Sequence, residues 1–196
     1  MTEVGPAVEE QQAIRDAIRK LCAEFPDAYW RDLDGHSAYP QAFVDTLTAS
    51  GYLAALIPEQ YGGSGLGITE GSIILEEINR SGGNSAACHA QMYTMGTLLR
   101  HGNQEQKQRY LPKIASGELR LQAFGVTEPN VGSDTSRIQT RAVKQGDRFV
   151  VNGRKVWTTN AHRCDFMIAL LRTEPASEPK LPRGTVVGRY VVVDML

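Results

Sequence analysis

The hydrophobic pattern of the chain changes near Leu119, and this change constrains the fold more than any other feature of the sequence. Before it, apolar residues recur about every 3.6 positions between charged ones, as in amphipathic helices. After it, short runs are often alternating and rich in β-branched and aromatic residues, as in strands. The pattern predicts an α+β protein, with an all-α domain at residues 1–119 followed by an antiparallel, β-barrel-like domain at 120–196.

Five amphipathic stretches predict the helices of the first domain. Gly51 follows the second stretch, where a helix is expected to stop. Asn103 is a predicted N-cap, and Pro112 is expected to end or kink the helix that follows it. The stretches span roughly residues 8–25, 40–53, 69–83, 84–102 and 103–118.

Five strand-like stretches predict the second domain. The Pro-rich segment 173–184 is expected to be a polar, hairpin-type loop before the last of them. The predicted strands lie in LRLQAFGV, SRIQTRAVKQ, DRFVVNGRKVW, DFMIALLRT and VVGRYVVVDML.

The charge and cysteine content narrow the function classes. A net charge of −1 gives no electrostatic basis for binding nucleic acid or an anionic membrane. Three widely spaced cysteines without a C-x-x-C pattern fit a reducing compartment. No apolar run reaches the ~18 residues of a membrane helix, and the first residues are acidic rather than signal-like. These features predict a cytoplasmic protein without membrane insertion.

Three other features have simple structural interpretations. The Gly-rich stretch 61–67 lacks the spacing of a nucleotide-binding loop, so a flexible loop between helices is expected. Adjacent Glu76 and Glu77 would point ~100° apart on a helix and are expected on its solvated surface. The four histidines form no H-x-x-x-H pair, and no metal site is expected.

An apolar stripe marks one face of the helix predicted at 84–102. Its spacings of four, three and four place the side chains in one row. Two interpretations stay open, a packed helix–helix core or the wall of a pocket for an apolar chain, which flexible Met side chains would suit. The stripe consists of Cys88, Met92, Met95 and Leu99.

Two polar stretches carry the strongest indication of a binding site. In GVTEPNVGSD, Thr127 and Ser133 provide hydroxyls, and Gly132 allows a ligand to approach the backbone. Successive turn N–H groups can bind an anion. In NGRKVWTTNA, the flat face of Trp157 precedes two hydroxyls and an amide. The combination suits a flat, amphipathic ring system, with an elaborate structural loop as the alternative.

These two stretches, in this order, resemble the acyl-CoA dehydrogenase family of flavoenzymes. T-E-P-x-x-G-S-D followed by K-x-W-x-T-N is a specific combination. The resemblance runs from about residue 8 to 196 and also includes IPEQYGGSGLG, SIILEEINRSGG and HGNQEQKQRYLPKIASGE. It implies FAD as the cofactor and the α,β-dehydrogenation of an acyl-CoA thioester.

The resemblance also implies roles for individual residues. Val126 and Thr127 would lie beside the isoalloxazine, and Glu128 would belong to the turn. Phe124 stands where family members often have Tyr, and Asn130 is expected in a left-handed turn conformation. The flavin-contacting residues would be Phe124, Val126, Thr127, Gly132, Ser133, Trp157, Thr158 and Thr159. The substrate-contacting residues would be Ser133, Met92, Met95 and Leu99.

In the family, a base removes the α-proton while the β-hydride passes to flavin. The catalytic Glu lies in a C-terminal helical bundle that has no counterpart in these 196 residues, so no catalytic residue is assigned. A fragment, or a short homologue that needs a partner, is therefore expected, in a homo- or hetero-oligomer. An electron-transfer flavoprotein or similar protein would accept the electrons. A same-fold flavin monooxygenase and a non-catalytic scaffold protein are the alternatives.

Overall fold

Helices occupy the first part of the computed structural model and strands the second, as the change of pattern predicts. The structure describes residues 6–146, 148–173 and 189–194, with the backbone alone for residues 6, 7 and 189–194. The predicted Pro-rich loop lies outside the described residues from position 174 onward. The chain divides into two compact units, Met1–Leu119 and Arg120–Leu196.

Six α-helices are described in the first unit, and five of them match predicted helices. Asn103 caps its helix as predicted, because its side chain accepts a hydrogen bond from Gln106 N at 2.8 Å. Pro112 does not end that helix, since buried Leu111 and Ile114 hold the last turn in place. The helices are α1 (Pro6–Cys22), α2 (Asp27–Gly35), α3 (Gln41–Ala49), α4 (Ile68–Arg80), α5 (Ala86–His101) and α6 (Gln104–Ser116).

A buried apolar cluster joins α1, α3, α4 and α5. Phe43 of α3 is 1% exposed, and its ring packs edge-on against Phe25 and Trp30 at centroid distances of 5.2 and 4.9 Å. Edge-to-face pairs of this kind add to the stabilisation from burial alone. The other members of the cluster include Ile18, Val44, Leu47, Ile74, Ile78, Cys88 and Met92.

A buried ion pair network also links α1 to α4. The Glu77 carboxylate accepts from Arg15 Nη1 at 2.6 Å and from Arg19 Nε at 2.7 Å. Hydrogen bonds from Arg19 and Arg15 lower the pKa of Glu77 to about 2. The predicted solvated position is correct for Glu76 but wrong for Glu77, whose side chain is fully buried because two arginines neutralise it.

The Gly-rich stretch 61–67 makes backbone hydrogen bonds to residues 55–57. Gly65 N donates to Ile57 O, and Leu66 N donates to Ala55 O, both at 2.8 Å. A Cβ at Gly63 would clash with the carbonyl of Ile57. The glycines therefore allow a close backbone approach, and the stretch lies between helices as predicted.

The strands of the second unit form a three-stranded sheet in the order β1-β4-β5 and a separate β2–β3 hairpin. β4 and β5 are antiparallel as predicted, but β1 and β4 are parallel, which the long connection between them permits. The described residues contain no closed barrel, so the barrel-like prediction is not confirmed. The strands are β1 (Ala123–Gly125), β2 (Arg141–Gln145), β3 (Arg148–Asn152), β4 (Phe166–Leu171) and β5 (Arg189–Asp194).

Candidate functional site

The two polar stretches singled out in the sequence are in direct contact. Val156 N donates a hydrogen bond to Thr127 O at 2.9 Å. Lys155 Nζ donates to Val126 O, also at 2.9 Å. The residues immediately before Trp157 are therefore attached to the turn that follows β1.

Glu128 belongs to this turn, as the resemblance implies, and its side chain also joins the turn to neighbouring segments. Its carboxylate accepts from Gln139 N at 2.6 Å, from Thr140 N at 2.9 Å and from Lys155 Nζ at 2.9 Å. Burial would raise the pKa of Glu128, but hydrogen bonds from Thr140, Lys155 and Gln139 outweigh it and lower the pKa to about 2. The charged carboxylate thus joins the turn to residues 139, 140 and 155 near neutral pH.

Arg172, directly after β4, holds the loop between the turn and β2. Its guanidinium donates to Ser136 O at 2.7 Å and to Ile138 O at 3.1 Å. Its backbone N–H donates to Thr140 O at 2.9 Å. Sequence reasoning missed this residue, because a lone Arg after a strand carries no recognisable signal.

The exposed end of the first stretch presents unused hydrogen-bond donors. Glu128 and Val131 exchange two backbone hydrogen bonds of 2.9 and 3.1 Å, which close a tight turn. Beyond it, Gly132 and Ser133 are exposed, and their N–H groups have no partner among the described residues. A Cβ at Gly132 would meet nothing within 4 Å. Asn130 does not have the expected left-handed conformation, since it is not among the residues with positive φ.

Trp157 stands out in the second stretch. Its side chain is 88% exposed, and its backbone has φ of 59°, in the left-handed region that is unfavourable for a bulky residue. Asn160 also has positive φ, at 57°. Strained backbone next to a large exposed aromatic side chain is typical of ligand-binding sites. Thr158 is partly buried and Thr159 is exposed beside it.

The apolar stripe of α5 lies largely inside the helical unit. Cys88 and Met95 are fully buried, and Met92 is 6% exposed. Cys88 and Met92 belong to the core cluster, which favours the packing interpretation for them. Leu99 is partly exposed. Burial also raises the pKa of the Cys88 thiol to about 12, so it remains protonated.

A neighbouring face of α5, turned about 100° from the stripe, is more open. His89 is exposed, Tyr93 is partly buried, and their rings lie 5.1 Å apart between centroids. A Cβ added at Gly96, three residues further, would meet nothing within 4 Å. This face, unlike the stripe, leaves room for a further molecule.

No helix among the described residues is both long and apolar enough to cross a bilayer. The same residues contain no group of three or more His, Cys, Asp or Glu side chains that could hold a metal ion. The site offers backbone N–H groups and hydroxyls as hydrogen-bonding groups, together with the aromatic face of Trp157.

Comparison with known protein families matches both units. Residues 8–118 match the N-terminal domain of acyl-CoA dehydrogenases, and residues 123–193 match the middle domain. The chain belongs to the acyl-CoA dehydrogenase family, whose members use FAD. The resemblance seen in the sequence is confirmed.

Individual relatives agree with this assignment. Mitochondrial isovaleryl-CoA dehydrogenase of Bos taurus is 35% identical over 176 residues, which are 87% of this chain and 41% of that protein. The structure of an acyl-CoA dehydrogenase from Geobacillus kaustophilus matches with a TM-score of 0.79 and 30% identity, over 91% of this chain and 46% of that one. The electron transferring flavoprotein structure of Acidaminococcus fermentans matches with a TM-score of 0.77 and 28% identity, over 89% and 45%. The chain thus spans less than half the length of these relatives.

Proposed function

We propose that this chain provides the flavin- and acyl-contacting part of an FAD-dependent acyl-CoA dehydrogenase. The observation that carries the proposal is the hydrogen bond from Val156 to Thr127 O, which attaches to the turn the segment that holds the exposed, strained Trp157. A flat aromatic face next to free N–H and hydroxyl groups suits a ring system with a polar edge and an anionic tail. FAD has both parts, so the residues present fit the cofactor.

The proposed cofactor contacts fall into two groups. Val126, Thr127 and the segment from Trp157 to Thr159 would hold the flavin ring, while Gly132 and Ser133 would donate N–H groups to the pyrophosphate. Phe124 lies in β1 directly before the turn and would support it. When bound, the flavin supplies the acceptor for the β-hydride of the substrate.

The two buried carboxylates described in the chain are unsuited to act as the base in this reaction. Glu128 and Glu77 each have a pKa of about 2, because three donors and two arginines respectively hold the charged form. A general base that works near neutral pH needs a higher pKa. The chain's role is therefore to bind and orient, and no residue described here is assigned as the base.

The substrate would be an acyl thioester, in keeping with the names of the relatives. Ser133 remains a proposed contact for the thioester arm, and Leu99 for the acyl chain. For Met92 and Met95 we propose an indirect role, as the packed support of α5, because both are buried in the helical unit. The open face with His89 and Tyr93 would then contact the acyl chain.

Transfer of electrons to a separate flavoprotein is proposed on the same basis. The similarity to the structure described as the electron transferring flavoprotein of Acidaminococcus fermentans supports this proposal. The expected cytoplasmic location and oligomeric assembly stay predictions.

Cofactor binding can be tested on the chain itself by nuclear magnetic resonance. Titration with FAD to millimolar concentration should shift the amide signals of residues 124–133 and 157–159. An aromatic contact is worth ~1.4 kcal/mol, so Trp157→Ala should weaken binding about tenfold. The matched control is Phe149→Ala, which removes a 43% exposed aromatic side chain from β3. Equal affinities of the two variants, or shifts elsewhere in the chain, would contradict the assignment.

Catalysis can be tested by joining the chain to the C-terminal part of the Bos taurus relative, which it does not match. The combined protein should oxidise an acyl-CoA with an artificial electron acceptor, whereas the chain alone should not. Turnover by the chain alone would show that it contains the base. Rapid air oxidation of the reduced flavin would favour the monooxygenase alternative.

A further inference from the structure

The Glu128–Lys155 pair is more enclosed than a surface ion pair. The two side chains are 5% and 10% exposed, and their charged atoms lie 2.9 Å apart. Lys155 also donates to Val126 O, and its stem passes close to Gly125, where a Cβ would lie 3.5 Å from Lys155 Cγ. The ammonium is thus held between a carboxylate and a carbonyl of the first polar stretch.

The Glu128–Lys155 pair holds a segment that lies outside the strands and so is not fixed by strand pairing. β3 ends at Asn152 and β4 begins at Phe166, so the segment that contains Trp157 lies between strands. The bonds from Lys155 and Val156 to the turn at 126–128 attach this segment directly to the end of β1. The position of Trp157 relative to Thr127 therefore depends on these contacts.

A buried ion pair is rarely the most stabilising choice for such a position. Desolvation of both charges offsets most of their attraction, and an uncharged pair of similar shape often stabilises a fold equally well. What a charged hydrogen-bonded pair does provide is a narrow choice of geometry, since few arrangements satisfy both groups. This suggests that the pair serves the geometry of the site.

We propose that Lys155 is a positioning residue for cofactor recognition, with Glu128 as its partner. By fixing Val126 and Glu128 against its own segment, it sets where the face of Trp157 stands relative to the turn at Thr127. This inference rests on the proposed function for its ligand, but its geometric part concerns the chain alone.

The test uses three single variants and one double variant of the chain. Lys155→Met removes the ammonium and keeps the length of the side chain, and Lys155→Arg is the conservative replacement. Lys144→Met is the matched control, because Lys144 is exposed on the β2–β3 hairpin. Amide hydrogen exchange of Val156, whose N–H binds Thr127 O, reports the attachment. FAD titration by nuclear magnetic resonance reports recognition.

We expect Lys155→Met to speed exchange at Val156 at least tenfold and to raise the FAD dissociation constant about tenfold. Amides of the helical unit should be unchanged, Lys155→Arg should stay within threefold of the original chain, and Lys144→Met should match it. The double variant Glu128→Gln/Lys155→Met should stay folded yet bind FAD as weakly as Lys155→Met.

Two results would overturn the inference. One is unchanged exchange at Val156 in Lys155→Met, and the other is unchanged FAD affinity in that variant when the original chain binds FAD. If the original chain binds no FAD at all, the proposed function fails, while the exchange measurement still decides whether Lys155 fixes the segment.

Discussion

Replacement of Glu128 by Gln should destabilise the β unit by about 3 kcal/mol. The change keeps the shape of the side chain but removes the charge that three donors share. Breaking a buried ion pair from one side costs ~3–5 kcal/mol, because the other charge stays buried without compensation. The lower end of this energy range applies here, because Lys155 keeps its hydrogen bond to Val126 O and the Gln oxygen can still accept one N–H.

Urea unfolding followed separately in each unit would measure this loss. Amide signals of Ile168 in β4 and Ile74 in α4 report the two units, and both residues are buried. For a small unit, 3 kcal/mol corresponds to a midpoint shift of ~1–3 M urea. The shift should appear at Ile168 and be absent at Ile74.

A second glutamate provides a matched control. Glu118 is paired with Lys113 at 2.9 Å, the same distance as in the Glu128–Lys155 pair, but its side chain is 59% exposed. Exposed pairs contribute ~0–1 kcal/mol, so Glu118→Gln should have little effect. If Glu128→Gln costs no more than Glu118→Gln, the reasoning from burial is refuted.

Three further outcomes are expected. Because the folded-state pKa of Glu128 lies near 2, below the usual 4.5, its stabilisation is present above pH 4.5 and lost as the pH falls toward 2. Acid unfolding of the β unit should therefore depend less on pH in Glu128→Gln than in the original chain. Gly63→Ala should lower the melting temperature, since the new Cβ would lie 2.5 Å from Ile57 Cβ, whereas Gly96→Ala meets nothing within 4 Å and should not. Cys88 should resist alkylation by iodoacetamide at pH 7 in the folded chain, because its thiol pKa is raised to about 12. Rapid labelling would contradict its burial.

Local patterns predicted most of the secondary structure. The 3.6-residue spacing and the Asn103 cap depend on neighbours within one or two turns, so the sequence alone suffices for them. α2 was missed because it is short, at nine residues, and none of its residues is fully buried. The buried position of Glu77 was missed because its partners, Arg15 and Arg19, are 62 and 58 residues away.

The sequence predicted which stretches form the candidate site, but not the contacts that hold them together. Residue chemistry identified the two polar stretches, the family resemblance then implied their roles, and Glu128 was correctly assigned to the turn. The role of Lys155 could not be predicted, because it depends on how a segment after β3 returns to the end of β1. Arg172 and the parallel pairing of β1 with β4 depend on the same long-range arrangement. Such long-range contacts produce no local sequence pattern, so the sequence alone does not predict them.

The parallel pairing of β1 with β4 has a consequence for the order of folding. Gly125 at the end of β1 and Phe166 at the start of β4 are separated by 40 residues, so the hydrogen bonds between these strands close late. A ribosome adding ~5–20 residues per second would take about 2–8 s to make the stretch between them. The helical unit and the β2–β3 hairpin can form during that time, whereas β1 has no paired strand until β4 is made. A nascent chain stalled before residue 166 should therefore be most prone to aggregate through AFG at residues 123–125.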